Sequence, residues 1–210
     1  MPFPELFRDD VFRIETAQLW LRWPRAADAR ALQQVAGLVT VAEQTAGWER
    51  PLAMADAEWS VLRAREGNLE GRSLVLAVTR KKASDQPIGF IGVEAMAGPA
   101  QELELWYLLD RQWQGRGIMN EAVAGLAGAV FTGSAFSLMR ASCHAGDPVA
   151  RRVLQAAGFD HVGASLAESP GDDGPTHLDD FALARSAWWA RIAESRGAGS
   201  APNADPARAA

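Results

Sequence analysis

In this 210-residue chain, the segment Gln112-Trp113-Gln114-Gly115-Arg116-Gly117 says most about chemistry. Two glycines one residue apart let the backbone turn with positive φ and let an anion approach the main chain. A run with helical spacing follows, and the first turn of a helix leaves several N–H groups without internal partners. Those groups and the helix dipole make an anion site. Arg116 can add a charge-assisted contact. The unit reads as a cradle for a diphosphate; the same Gly-x-Gly spacing also serves turns that bind nothing. No GxxxxGK[ST] is present, so an ATP-binding P-loop is not supported. The dinucleotide fingerprint wants a third glycine and a loop after the first strand of its fold. Here Met119-Asn120 follow, and the loop lies mid-chain.

The elements that must hold this loop can be read from apolar periodicity. Thr16 to Trp23 alternates as a strand, with Leu19 and Leu21 opposite Trp20 and Arg22, and Pro24 stops it. Helical spacing covers Asp28–Leu38 and Met54–Arg65, with Gly67-Asn68 expected to end the second helix. Strands are expected at Ser73–Thr79, Ile88–Ala95 and Glu102–Leu109, with turn chemistry at Ser84-Asp85-Gln86-Pro87. A long helix over Gly117–Phe131 follows the loop. Then come a strand at Ser137–His144, a helix at Pro148–Ala157 closed by Gly158, and strands at Phe159–Ala164 and Leu178–Ala184. The order is β-α-α-β-β-β-α-β-α-β-β. Early hairpins and later crossover helices imply an α/β fold with a mixed sheet.

The folded domain is expected to span residues 11–192, with residues 197–210 (GAGSAPNADPARAA) a disordered tail lacking large apolar side chains. The composition, 48% hydrophobic and 22% charged, is that of a soluble globular domain. A net charge of −5 gives the chain no electrostatic reason to seek nucleic acid, and no apolar stretch suggests a signal peptide or a membrane span. The single cysteine, Cys143, rules out an internal disulfide and fits a reducing cytoplasm; its apolar surroundings imply a buried, unreactive thiol. The basic run Arg80-Lys81-Lys82 reads as a solvated turn.

Several ordered segments resemble the GCN5-related N-acetyltransferase superfamily. Gln112 to Gly117 matches its Q/R-x-x-G-x-G/A loop at every fixed position. Glu15 to Arg22 resembles the "ETERLxLR" opening of the branch that includes ribosomal-protein N-terminal acetyltransferases. Ile88 to Gly92 resembles its "IGxIG" strand, Gly115 to Ala122 its "GRGYMTEA" helix start, and Asp147 to Phe159 its "NxxSRRVLExxGF" segment. The resemblance implies a mixed, mostly antiparallel central sheet flanked by helices, with a V-shaped split between two parallel strands, Glu102–Leu109 and Ser137–His144. It implies acetyl-coenzyme A as co-substrate and no metal. The pantetheine arm would bond to the backbone near Leu108 and Leu109, with Asp147 also beside it. The pyrophosphate would sit on Gln114, Gly115, Arg116, Gly117 and Ile118. Two departures stand out. Asp147 replaces the family's Asn, keeping an acceptor but losing the amide donor, and Ala150 replaces its Ser and has no hydroxyl.

Amine acetylation needs a neutral nucleophile, so a carboxylate or histidine must remove a proton. Glu104 is the first candidate, placed by the family pattern "aEiGYWL". Glu102 shares its strand face, and paired carboxylates can raise one pKa. Both also fit exposed charges on an open sheet face. His144 ends the neighbouring strand and could act through water, or be a satisfied or surface histidine. Tyr107 could protonate the leaving thiolate, or pack in the core, since alternation points it away from Glu104. Glu121 is explained by helix-end electrostatics. Trp48 and Trp59 are candidates to wall the acceptor cleft. The reading is a cytoplasmic N-acetyltransferase whose partner is an amine-bearing acceptor, a small molecule or a protein N-terminus, with no nucleic acid or membrane and a homodimer left open. The alternatives are an acyl-CoA-binding sensor or interaction domain with weak or no turnover, and an unrelated nucleotide-phosphate enzyme.

Overall fold

Leu103 and Leu105 alternate with Glu102 and Glu104, so a strand through these residues buries one face and leaves acids on the other. That strand, β5 (Glu102–Leu109), is at the centre of the structure. The computed structural model describes residues 3–36, 52–97, 101–167 and 175–198. Leu38, Trp48 and residues 199–210 lie outside them. The elements are β1 (Arg13–Glu15), β2 (Leu19–Arg22), α1 (Ala29–Ala36), α2 (Met54–Glu70), β3 (Ser73–Arg80), β4 (Ala83–Ala95), β5, α3 (Ile118–Gly133), β6 (Leu138–His144), α4 (Pro148–Ala157), β7 (Asp160–Ala167), β8 (Thr176–Ala184) and α5 (Arg185–Ala198). The eight strands form one sheet in the order β1-β2-β3-β4-β5-β6-β8-β7. Every neighbouring pair is antiparallel except β5 with β6. This is the mixed α/β sheet expected from the sequence.

Each face of the sheet carries its own core. On one, α3, α4 and α5 pack Leu126, Val130, Leu154 and Trp188 against Leu74, Leu76, Leu103 and Leu105. On the other, α1 and α2 pack Leu32, Val35 and Val61 against Phe90 and Leu108. Phe3 and Phe7 are buried in the first core, so packing begins ahead of Val11, and α5 continues past Ile192.

Four local readings differ from the structure, each for a physical reason. Gly67-Asn68 does not end α2. Gly67 is where α2 presses on β3, since a Cβ there would lie 2.4 Å from Ser73 Oγ. Asn68 is buried and pairs with Val75, donating from Nδ2 to its carbonyl and accepting its N–H at Oδ1. The helix stops at Gly71, which adopts φ 72°. The β3–β4 turn falls at Lys81-Lys82, and Ser84 to Pro87 belong to β4, where register shifts near Thr79 accommodate Pro87. Strand β1 is only three residues long, too short for periodicity to reveal. Helix α5 escaped because a Trp188-Trp189 pair among small and charged residues gives little helical contrast, although Trp188 is buried and Trp189 is exposed.

Candidate active site

The parallel ladder between β5 and β6 spans only three residue pairs, Glu102 with Leu138, Leu103 with Met139 and Glu104 with Arg140. Beyond Glu104, β5 stays hydrogen-bonded to β4 alone, and beyond Arg140, β6 stays bonded to β8. The strands thus part at the residue singled out as a base. Backbone amides and carbonyls facing such a gap need partners from outside the sheet.

At the far end of β5 the chain enters a short 3-10 turn, Arg111–Trp113, capped by Asp110, which accepts from the Gln112 N–H at 3.0 Å. Gly115 and Gly117 follow with φ of 71° and 73°, a region that strains any residue with a side chain. A Cβ at either glycine would meet no atom within 4 Å, so the backbone fold requires glycine and the space in front is open. Gly117 caps α3 with no side chain bonding the first-turn amides, and the first helical bond into it is donated by Glu121. The N–H groups of Ile118, Met119 and Asn120 are therefore available to an anion. An open, glycine-lined, amide-rich turn in front of parted strands fits a long diphosphate-bearing cofactor such as coenzyme A.

Glu121 itself is occupied elsewhere. It accepts from the Thr16 hydroxyl at 2.5 Å and from the Gln18 backbone at 2.7 Å, tying the β1–β2 turn to α3. Burial pushes its carboxyl up, but these hydrogen bonds outweigh burial and hold it below the ordinary range.

Between α2 and the sheet lies a cavity of about 800 Å³ bordered by Trp59, Glu94, Glu104, Trp106 and Ser142. Gly92 makes room for one wall, since a Cβ there would sit 2.8 Å from the Trp106 ring. The expected pairing of Glu102 with Glu104 is not what the structure contains. Arg140 donates to Glu102 at 2.6 Å, and that hydrogen bond holds the Glu102 carboxyl low. The carboxylate opposite Glu104 is Glu94, its cross-strand partner on β4. Burial, and then the Glu94 charge, push the Glu104 carboxyl up from its ordinary value. No cation among the described residues pairs with either. Sequence reasoning missed Glu94 because its position depends on strand register.

The other sequence-predicted residues are spread around the gap. Tyr107 points away from Glu104, as alternation requires, and donates to the Ala150 carbonyl on α4 at 3.3 Å. Burial pushes its hydroxyl far up, so it stays protonated. His144 lies outside the cavity wall. Its Nδ1 accepts from the Gly146 N–H at 2.9 Å, which leaves Nε2 as the nitrogen that can face solvent. Asp147 caps α4, with Oδ1 accepting from Val149 and Ala150. Leu108 packs under α1, while Leu109 accepts at its carbonyl from Gln114 Nε2 at 3.2 Å. Cys143 is buried, and burial pushes its thiol up to about 11, the inert thiol expected. The basic run is not a simple solvated turn. Lys81 pairs with Glu15 at 2.6 Å, while Arg80 lies under the Trp113 ring. Among the described residues no group of three or more His, Cys, Asp or Glu is placed to hold a metal ion, and no helix is long and apolar enough to cross a membrane.

No curated protein matches the chain by sequence. Solved structures do match its fold. The ribosomal-protein-S5-alanine acetyltransferase from Vibrio fischeri is 18% identical with a TM-score of 0.67, over 84% of this chain and 98% of that one. Mycobacterium smegmatis RimJ, solved with CoA-disulfide, is 18% identical with a TM-score of 0.69, over 88% and 95%. A chimera of the spermidine N-acetyltransferase SpeG from Vibrio cholerae and hSSAT is 15% identical with a TM-score of 0.69, over 82% and 99%. A model of the acetyltransferase (GNAT) domain matches residues 18–160, more than half of the chain and the whole of the glycine loop, the parted strands and Glu104. The protein belongs to the GNAT acetyltransferase family.

Proposed function

We propose that the protein transfers an acetyl group from acetyl-coenzyme A to a primary amine by direct attack, with Glu104 as general base. The observation that carries this reading is the ending of the β5–β6 ladder at Glu104, between the uncapped N-terminus of α3 and the cavity. The amides of Gly115 to Asn120 would hold the diphosphate, and the β5 backbone near Leu108 and Leu109 would hold the pantetheine amides. Bound acetyl-coenzyme A supplies the electrophilic thioester carbonyl. The acceptor nitrogen forms the new C–N bond as the C–S bond breaks, and coenzyme A departs as the thiol. Glu104, directly or through one water, takes the amine proton. Its raised pKa brings it closer to an efficient base at neutral pH. Tyr107 stays protonated on the opposite face of β5, and His144 lies at the far end of the gap; each is a candidate to return a proton to sulfur.

The Glu94–Glu104 pair and the indole of Trp106 favour an acceptor that arrives as an ammonium. This suits either a protein N-terminus, as in the named acceptors of the ribosomal-protein acetyltransferases, or a polyamine such as spermidine. A cytoplasmic location fits the lone buried thiol. A second reading, a coenzyme-A-binding sensor without turnover, draws on Asp147 being committed to capping α4 and on Ala150 lacking a hydroxyl. Thiol release from acetyl-coenzyme A, measured across N-terminal peptides and polyamines, tests the proposal. Amine-dependent release supports it; tight coenzyme A binding with no release for any amine would favour the sensor.

A further inference from the structure

Most arginines that approach an element from outside find a carboxylate or a carbonyl. Arg22 pairs with Asp28, Arg140 with Glu102 and Arg151 with Asp179. Arg80 and Arg116 do neither among the described residues. Instead they stack on one ring. The Arg80 guanidinium carbon lies 4.3 Å from the centroid of Trp113, and that of Arg116 lies 5.0 Å from it. Arg80 Nε is fully buried and has no hydrogen-bond partner. Arg116 sits between the two glycines just ahead of α3, where the helix dipole already makes a cation unfavourable. Two guanidinium groups with no carboxylate or carbonyl partner among the described residues thus share one ring, just ahead of the positive end of α3.

Resting on the reading that coenzyme A binds this loop, we propose that Trp113 is a positioning residue of the phosphate site. In contact with both Arg80 and Arg116, it would hold the Arg116 guanidinium near the α3 amides, ready for the coenzyme's diphosphate. A planar guanidinium on an indole face has lost much of its rotational freedom before the ligand arrives, so less is lost on binding. Arg80, from the distant β3–β4 hairpin, also stacks on the ring and helps to fix it. The site then draws on a residue that no loop motif contains.

Trp113→Leu and Trp113→Phe separate stacking from packing, because both fill the half-buried space but only Phe offers a π face. Calorimetry with coenzyme A is expected to show Leu weakening affinity about fivefold, the scale of one cation–π contact, while Phe stays close to wild type. Arg116→Gln should weaken it by a similar or larger factor. Adding Trp113→Leu to Arg116→Gln should cost little more, since the ring acts through the arginine. Dephospho-coenzyme A, which lacks the 3′-phosphate, should lose the same factor as coenzyme A. Equal affinities for Leu and Phe, or fully multiplicative effects in the double variant, would overturn the positioning role. A loss seen with coenzyme A but not with dephospho-coenzyme A would overturn the diphosphate assignment. Absence of any coenzyme A binding by the wild type would instead remove the proposed function itself. Matched thermal midpoints for the variants confirm that folding is intact, and if Trp113→Leu fails to fold, the salt dependence of affinity for Arg80→Gln and Arg116→Gln decides. Each should then show a shallower slope than wild type, and two unchanged slopes would refute the stack's part in binding.

Discussion

The two ends of the gap are built in opposite ways. The α3 end rests chiefly on backbone: amides of the first helical turn, two glycines with positive φ, and strand edges that have left their ladder, with Arg116 and Trp113 beside them. The α2 end is made of side chains that come from three separate elements, with Glu94 on β4, Glu104 and Trp106 on β5, and Trp59 on α2. Backbone chemistry is the same in every chain, so the first end can bind one unvarying donor. Side-chain chemistry is specific, so the second end is where the choice of acceptor is made. Variation should therefore separate cleanly, with loop changes acting on donor affinity and cavity changes acting on turnover and acceptor preference.

The largest effect expected is on Glu104. Glu104→Gln should lower turnover about a hundredfold, the scale of a general base, and leave coenzyme A affinity nearly unchanged. High pH, which supplies more neutral amine from bulk, should partly restore the rate. A variant with wild-type turnover at every pH would assign the chemistry to proximity alone. Next in size is Gly117→Val, which forces a β-branched residue to φ 73° and should weaken coenzyme A binding about tenfold or more in calorimetry. If its affinity were unchanged in a folded protein, the backbone account of the α3 end would fail.

Smaller still is the effect of Glu94→Gln. Its charge helps to raise the Glu104 carboxyl, so removing it lowers that pKa. The base acts deprotonated, and the acid limb of the pH–rate profile should move to lower pH. An acid limb that stays in place would separate Glu94 from the base. The smallest effect is on stability at Glu121, where the carboxyl is held low by Thr16 and Gln18. A depressed carboxyl contributes stability above its unfolded pKa and loses it as pH falls through the folded one. Glu121→Gln should cost about 1 kcal/mol at neutral pH in urea unfolding, the net scale of one hydrogen bond, and almost nothing in acid. The same cost at both pH values would point to packing.

The same contrast explains how much could be read in advance. The glycine loop, the strands around it and the order of the later elements were legible, because positive φ and period-2 or helical patterning are local properties. Leu103 and Leu105 announce β5, and Asp147 with Pro148 announces α4. Glu94 was not legible, because it meets Glu104 only through the β4–β5 register, and a shift of one residue would point it to the other face. Arg80 sits in sequence among charges that suggest turn surface, yet strand β3 carries it to Trp113, far along the chain. Gly67 looked like a helix stop because a glycine that permits close packing and one that permits a left-handed turn are identical in sequence. Glu102 was the natural partner of Glu104 by strand period, but Arg140 from a neighbouring strand claims it.

In the proposed complex the donor lies along the parted β5 edge and the α3 amides while the α2 cavity stays open to the acceptor. Amide hydrogen exchange with and without coenzyme A reads this placement residue by residue. Exchange should slow at Gly115 to Asn120 and at the β5 amides from Leu105 to Leu109, with α2 unchanged. Protection confined to α1 and α2, with the loop and β5 unaffected, would contradict it.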